Sequence, residues 1–337
     1  MTSVDGRGDA QAERQGTLKA LLTSDNGIRL LVLIVLVAVF AVATKGTTLG
    51  GDNIANILVQ SAIRGVAACG QALVVLTTGL DLSVSGVVAL TLMLGGSLIT
   101  ANPELSLLGY AIPPAIAILI MLVVGTAFGF VNGFVVARFR LPAIIVTLGT
   151  WQIGIGLAYQ VTGSGFVDQI PKSISFIGQG TFLFVPVPVI IFFLVVAATY
   201  FLLHHTIFGR EVYAVGGNAR TAFISGVRVM RVRIAVFAIA GLLYAIGAVI
   251  GMARFESSTM AQATGLELST IAAVAIGGVS LAGGRGTIIG ILLGTLIIGV
   301  LDNGLSVMGV GPAWQAIVKG AIIIAAVALD VRLRRYA

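Results

Sequence analysis

A chain of 337 residues that is 58% hydrophobic and only 10% charged, with a mean hydropathy of +1.07, has too little interior to hide its apolar surface from water. Soluble domains are about 25% charged, so the composition excludes a soluble fold, and the apolar runs are too long for the strands of a transmembrane barrel. The formal charge of +7 is scattered over short loops and forms no nucleic-acid-binding block, while a single cysteine, Cys69, excludes an internal disulfide framework.

In chain order, residues 1–27 are polar and mixed in charge, and read as a disordered or interfacial cytoplasmic segment. The first apolar run begins near Ile28. Many more follow it, so it reads as a spanning helix and not as a cleaved leader. Candidate spans fall at 28–44, 54–77, 84–100, 107–136, 143–160, 182–204, 233–252, 268–282, 287–301 and 313–330. The expectation is an all-α polytopic membrane protein of about ten transmembrane helices over 28–330, with both termini cytoplasmic. The fourth run is long enough to tilt. The eighth and ninth are short and glycine-rich, and read as broken or re-entrant. Charge supports this threading. The inner segments hold Arg138, Arg140, Arg210, Arg220, Arg228, Arg231 and Arg233, and the basic tail 331–337. The outer loops hold only Lys45, Lys172 and Arg254, which is a strong positive-inside bias.

The inner loop 205–233 is more than a connector. Beside its arginines it keeps Val212, Tyr213, Val215, Phe223 and Ile224. The spacing predicts a short helix capped by Asn218 and ended by Gly226. Such a helix serves either to dock another protein or to anchor the loop on anionic lipid. The chain has no means of hydrolysing ATP, because none of Lys19, Lys45, Lys172 and Lys319 sits in a Gly-x-x-x-x-Gly-Lys-Ser/Thr loop. Gly283-Gly284-Arg285-Gly286-Thr287 lacks the lysine and reads as a tight turn between helices. No zinc spacing or other metal site is present, and no constellation supports catalysis.

Polar groups at membrane depth are the remaining signals. Asp81 interrupts an apolar run, followed by Ser83. Arg64, Gln71 and Thr78 share one helical face, seven residues apart. Arg64 has Asp81 and Asp302 as candidate partners, unless it lies near an interface. Asn132, Gln152 and Tyr159 can hydrogen-bond a polar solute, or serve as glue between helices. Asp302 is either an outer-loop residue or the cap of a broken helix. Lys319, in the last span, has no evident partner.

Several stretches carry a resemblance. Gly79-Leu80-Asp81-Leu82-Ser83-Val84, Leu141-Pro142 through Leu148-Gly149, Gly209-Arg210, Tyr213 through Asn218, Ser225-Gly226, Gly277 through Thr287, Asn303-Gly304-Leu305 and Lys319-Gly320 occur in one order over roughly 28–330. Together they resemble the ribose-type permease family, the membrane subunits of ATP-driven bacterial monosaccharide importers. Two positions depart from it. Ser85 stands where that family has glycine, with Gly86 one step late, and Arg64 replaces an apolar or small polar residue.

The resemblance implies a multi-pass protein of the bacterial inner membrane. It would work beside a second permease subunit (a homodimer), a cytoplasmic ATP-binding subunit and an extracytoplasmic sugar-binding protein, embedded in membrane lipid and with no nucleic acid. This chain would hold no cofactor, since ATP and Mg belong to the ATPase. Gly209, Arg210, Glu211, Tyr213, Gly216, Gly217, Asn218, Ser225 and Gly226 would couple to that ATPase. The implied solute is ribose-, xylose- or galactose-like. The alternative within the same architecture is a nucleoside, a urea-like amide or a branched-chain amino acid.

Overall fold

The computed structural model describes residues 24–335. Among the described residues there are thirteen α-helices and four two-residue strands. The helices are α1 Asp25–Ala43, α2 Gly51–Leu76, α3 Val84–Ile99, α4 Pro114–Phe139, α5 Ala143–Thr162, α6 Ser175–Gln179, α7 Val187–His205, α8 Ile207–Gly217, α9 Ala219–Ile224, α10 Val229–Phe255, α11 Leu266–Ile276, α12 Ile288–Val307 and α13 Pro312–Arg335. Seven of them are long and apolar enough to cross a membrane, and α3, α11 and α13 supply shorter apolar stretches. The fold is an all-α polytopic membrane protein. Most of the expected segment 1–27 lies outside the described residues, and the last turns of α13 take in most of 331–337.

Span boundaries move where local chemistry dictates. The fourth begins at Pro114 and not at 107, because the Pro113-Pro114 pair presets a helix start. The residues before it fold back on α3, with Leu107 N–H bonded to Ser97 O and Ile112 N–H to Leu98 O. The sixth begins at Val187, because 181–186 form the hairpin β2–β3 (Thr181–Phe182, Val185–Pro186) around Leu183 and Phe184, both at positive φ. The outer loops are further tied by β1 (Phe166–Val167) pairing with β4 (Ser258–Thr259).

Two spans are broken, and the breaks position everything that follows. At 1.5 Å per residue, α3 with 16 residues and α11 with 11 fall short of a hydrocarbon layer about 30 Å thick. Each completes its crossing with irregular backbone, which is tolerated only inside protein. After α2, the chain turns on Thr77 and Thr78 (φ +64) and climbs back to Asp81, level with Gln71, more than a turn inside the end of α2. After α11 it turns through Gly278, Gly283, Gly284 and Gly286, all at positive φ, before α12 starts. The two breaks are bonded to each other, with Gly284 N–H donating to Leu76 O at 3.0 Å. The two short helices meet start to start, with Ser85 Oγ donating to Glu267 Oε2, so that the first break lies beside this contact and the second lies at the far end of α11.

The tightest helix pair is α4 against α10. Gly125, Gly129 and Gly133 form a stripe on α4, and a Cβ at any of them would run into Gly241, Ala245, Phe237 or Ile234 of α10. Small residues at this spacing are how helices approach closely where there is no water to expel. At Gly129 the obstacle is the backbone carbonyl of Phe237, which has nowhere to go. Gly129→Leu is therefore expected to cost at least about 1–3 kcal/mol by overpacking. Thermal unfolding of the purified protein in detergent, compared with Gly149→Leu where a Cβ meets nothing within 4 Å, checks this.

Candidate functional site

Four polar residues singled out along the sequence meet in one buried cluster. Asp81 is 1% exposed. Its Oδ1 accepts from the backbone N–H of Ser83 at 2.8 Å, closing an Asx turn, and from Ser83 Oγ at 2.6 Å. Its Oδ2 accepts from the Tyr244 hydroxyl at 3.1 Å. Asn132 Nδ2 donates to Ser83 Oγ at 2.8 Å. Tyr244 Oη also lies 3.2 Å from the Gln71 amide. A phenol has one proton. With that proton on Asp81, the Gln71 amide is best oriented with Nε2 donating to the tyrosine, which also satisfies a nitrogen otherwise without a partner. Thr147 Oγ1 reaches Leu80 O at 3.2 Å and fastens α5 to the same turn. Asp81 has no cation within ion-pair distance among the described residues, so neutral dipoles alone hold it.

Arg64 lies elsewhere, midway along α2, with its guanidinium on Asp302. Of the two candidate partners, the structure selects Asp302 and not Asp81. Asp302 is neither an outer-loop residue nor a cap. It is buried inside α12, where an unbroken apolar helix carries it to the depth of Arg64. Lys319 Nζ of α13 approaches its other oxygen at 3.4 Å. One buried carboxylate thus clamps three helices through two cations.

Arg64 and Lys319 form one wall of a cavity of about 570 Å³ in the outer half of the bundle. Gln60, Ser257, Thr259, Gln262, Thr264 and Ser269 supply its other polar groups, with Val88, Leu92, Gly247 and Leu266 as apolar surface. That size suits a small polar molecule. Leu266 opens α11 and Val88 lies in the first turns of α3, so the cavity floor is built where the two half-length helices face each other. The run 257–264 escaped the sequence reading because it is neither apolar nor motif-bearing. Its one signal was a cluster of Ser, Thr and Gln next to a short span.

Thr78 lies on the far side of the break, on a smaller inner pocket of about 230 Å³. Gln152 and Tyr159 join neither cavity nor cluster. Both are exposed on the outward face of α5.

The inner loop is helical on both sides of Asn218. The Asn218 side chain accepts from the N–H groups of Arg220 and Thr221, each at 3.0 Å, and caps α9 as its position predicts. Gly226, at φ +90, follows the end of that helix. Residues 207–217, part of the inner loop for which the spacing predicts only the helix after Asn218, form a further helix, α8, started by Thr206 accepting from Gly209 N–H at 3.1 Å. Its first turn is packed down by Gly209 against the carbonyls of Leu202 and Leu203, while Arg210 stays exposed beside the half-buried Glu211. Its last turn abuts both breaks. A Cβ at Gly216 would strike Leu76 O and Gly284 N, and Tyr213 Oη donates to Gly286 O at 3.0 Å. Burial pushes the Tyr213 phenol above its ordinary pKa, which keeps it a donor. Gly217 and the Ser225-Gly226 turn face outward.

Residues 53–327 match the family model described as branched-chain amino acid transport system / permease component. The chain is 38% identical over 307 residues to the ribose import permease protein of Escherichia coli strain K12, covering 89% of this chain and 92% of that one. It is 37% identical over 330 residues to the fructose import permease protein of Rhizobium meliloti, covering 94% and 88%. It is 36% identical over 316 residues to the galactose/methyl galactoside import permease protein of Escherichia coli strain K12, covering 89% and 92%. No solved structure matches the chain.

Truncating one partner of a buried ion pair strands the other. Asp302→Ala is expected to destabilise by about 3–5 kcal/mol, since it leaves both Arg64 and Lys319 without a counter-charge. Arg64→Ala is expected to cost less, because Lys319 still covers the carboxylate. The order of the two, read from thermal unfolding midpoints in one detergent, checks the clamp.

Proposed function

The chain belongs to this family of transport-system permease components, and on that footing we propose that it is the membrane subunit of an ATP-driven importer that carries a monosaccharide across the bacterial inner membrane. It is a multi-pass transport subunit and not an enzyme. Relatives named for ribose, fructose and galactose import, each aligned over most of its length, support a monosaccharide as the cargo.

One observation carries the mechanism. Helix α8 on the inner face touches the turns of both broken spans, and the facing N-terminal parts of the half-length helices build the floor of the outer cavity. A displacement of α8 is therefore passed to Leu76 and Gly284 together, and through α3 and α11 to the cavity. Broken helices meeting near the middle of the membrane are the usual site of alternating access. Packed interfaces of this kind switch between discrete arrangements and do not deform smoothly.

In this reading an ATPase grips the α8–α9 surface through Arg210, Glu211, Gly217, Asn218 and Ser225-Gly226, while ATP and Mg stay on that partner. An extracytoplasmic binding protein delivers the sugar to the cavity. Hydroxyls of the solute meet Gln60, Gln262, Thr264 and Ser269 there. Asp81, Ser83, Asn132 and Gln71 shape the break from behind and do not touch the sugar. A second copy of this chain completes a homodimeric membrane unit.

Arg64 and Lys319 favour one alternative, a solute bearing a carboxylate such as a branched-chain amino acid, which the family description also names. Proteoliposomes holding this chain with its ATPase and binding protein distinguish the two. ATP-dependent uptake of ribose, xylose or galactose but not leucine supports the sugar reading, and the reverse overturns it.

The docking surface has its own test. A side chain at Gly217 meets no other atom of the fold within 4 Å, so Gly217→Leu is tolerated by the chain itself. Combined with Arg210→Glu, it is expected to abolish co-purification of the ATPase while the permease still inserts. Retention of the whole complex would refute the assignment of this surface.

A further inference from the structure

The inner pocket has a property that transport does not use. Arg140 and Arg233 line it, together with Thr77, Thr78 and Gly79 of the first break. Arg140 ends α4 in left-handed backbone, and Arg233 lies in the first turns of α10, half-buried. Neither makes an ion pair or a hydrogen bond among the described residues, and no acidic side chain lines the pocket. The hydroxyl of Thr78 is also unpartnered and exposed. Arg138, Arg228 and Arg231 stand exposed on the same helix ends and reinforce the positive field. Two convergent guanidinium groups without a counter-charge are a recognition site for a phosphate.

What flanks the pocket decides between sources of that phosphate. Beside Arg140, the end of α4, the link after it and the start of α5 expose Phe139 (61%), Leu141 (45%) and Ile145 (65%). A charged pocket at the inner end of a continuous apolar surface matches an anionic phospholipid, with its headgroup inside and its acyl chains along the helices. A soluble anion has no use for that surface. We propose that Arg140 and Arg233 form a binding site for an anionic phospholipid of the inner leaflet. Its phosphate bridges the end of α4 and the start of α10. Thr78 donates the third contact, which braces the turn leading to Asp81.

The test uses the purified full-length chain in neutral detergent, titrated with dioleoylphosphatidylglycerol, dioleoylphosphatidylcholine or inorganic phosphate, and read by native mass spectrometry and by the unfolding midpoint. Phosphatidylglycerol is expected to be retained and to raise the midpoint, with the other two much weaker. Arg140→Gln and Arg233→Gln are each expected to weaken that retention roughly fivefold, about what one basic side chain contributes near an anionic surface. Lys172→Gln, in the outer loop, is expected to leave it unchanged. Equal retention by both glutamine variants, or equal binding of phosphatidylcholine, overturns the site. So does inorganic phosphate that competes as well as lipid, which makes it a soluble-anion site. Should either variant fail to insert, a photoreactive phosphatidylglycerol applied to the unaltered chain replaces it. Labels within 134–145 or 229–237 support the site, and labels confined to other segments, as expected if a second subunit covers this face, overturn it.

Discussion

Hydrocarbon cannot satisfy a peptide group, and that single constraint governs the two places where this chain abandons the helix. Between Thr77 and Ser83, and between Gly277 and Thr287, the backbone loses its internal ladder. The two lengths are repaired partly within themselves, partly by each other and partly by α8. Gly284 N–H closes on Leu76 O, Ser280 N–H on Arg285 O, Gly79 N–H on Val74 O, and Tyr213 supplies a donor for Gly286 O. Because each break depends on the other, neither can shift alone. The inner surface and the outer cavity are mechanically joined for the same reason, since the joined turns lie between α8 and the half-length helices.

Charge is handled in two distinct ways at depth. Asp302 is surrounded by cations, and the resulting clamp draws α2, α12 and α13 together at the cavity wall. Asp81 receives only hydroxyl and amide donors, so its geometry depends on the exact approach of Ser83 and Tyr244. Removing a cation would unbalance the first arrangement. Rotating α10, which carries Tyr244, would unsettle the second. The first therefore belongs to cohesion of the wall, and the second to the shape of the turn.

Much of this was legible in the sequence because one physical signal, apolar length, dominates in a bilayer. The expected runs correspond to α1–α5, α7 and α10–α13, and the basic inner face fixed their direction. Asn218 announced its own cap. The motif around Gly79 to Val84 pointed at the turn that Asp81 occupies. What the sequence did not disclose was pairing across long separations. Asp302 sits in an uninterrupted apolar helix, so nothing local distinguishes a buried partner of Arg64 from a loop residue. Gln152 and Tyr159 have the chemistry of a sugar site, but helical phase turns them outward. Residues 257–264 have no periodicity at all, and only the folding of α11 brings them over the cavity. Residues 207–217 hid a helix behind glycines at 209, 216 and 217, two of which serve close approach and not flexibility.

The Ser85–Glu267 contact joins positions 182 residues apart. Neither α3 nor α11 spans the membrane by itself, so each needs the other to settle at its depth. During synthesis α3 leaves the ribosome long before α11 exists. The early part of the chain must then wait, inserted but unfinished, until nearly four-fifths of the polypeptide has been made. The fold is completed only by its last quarter, and a truncation ahead of Glu267 would leave Ser85 without this partner.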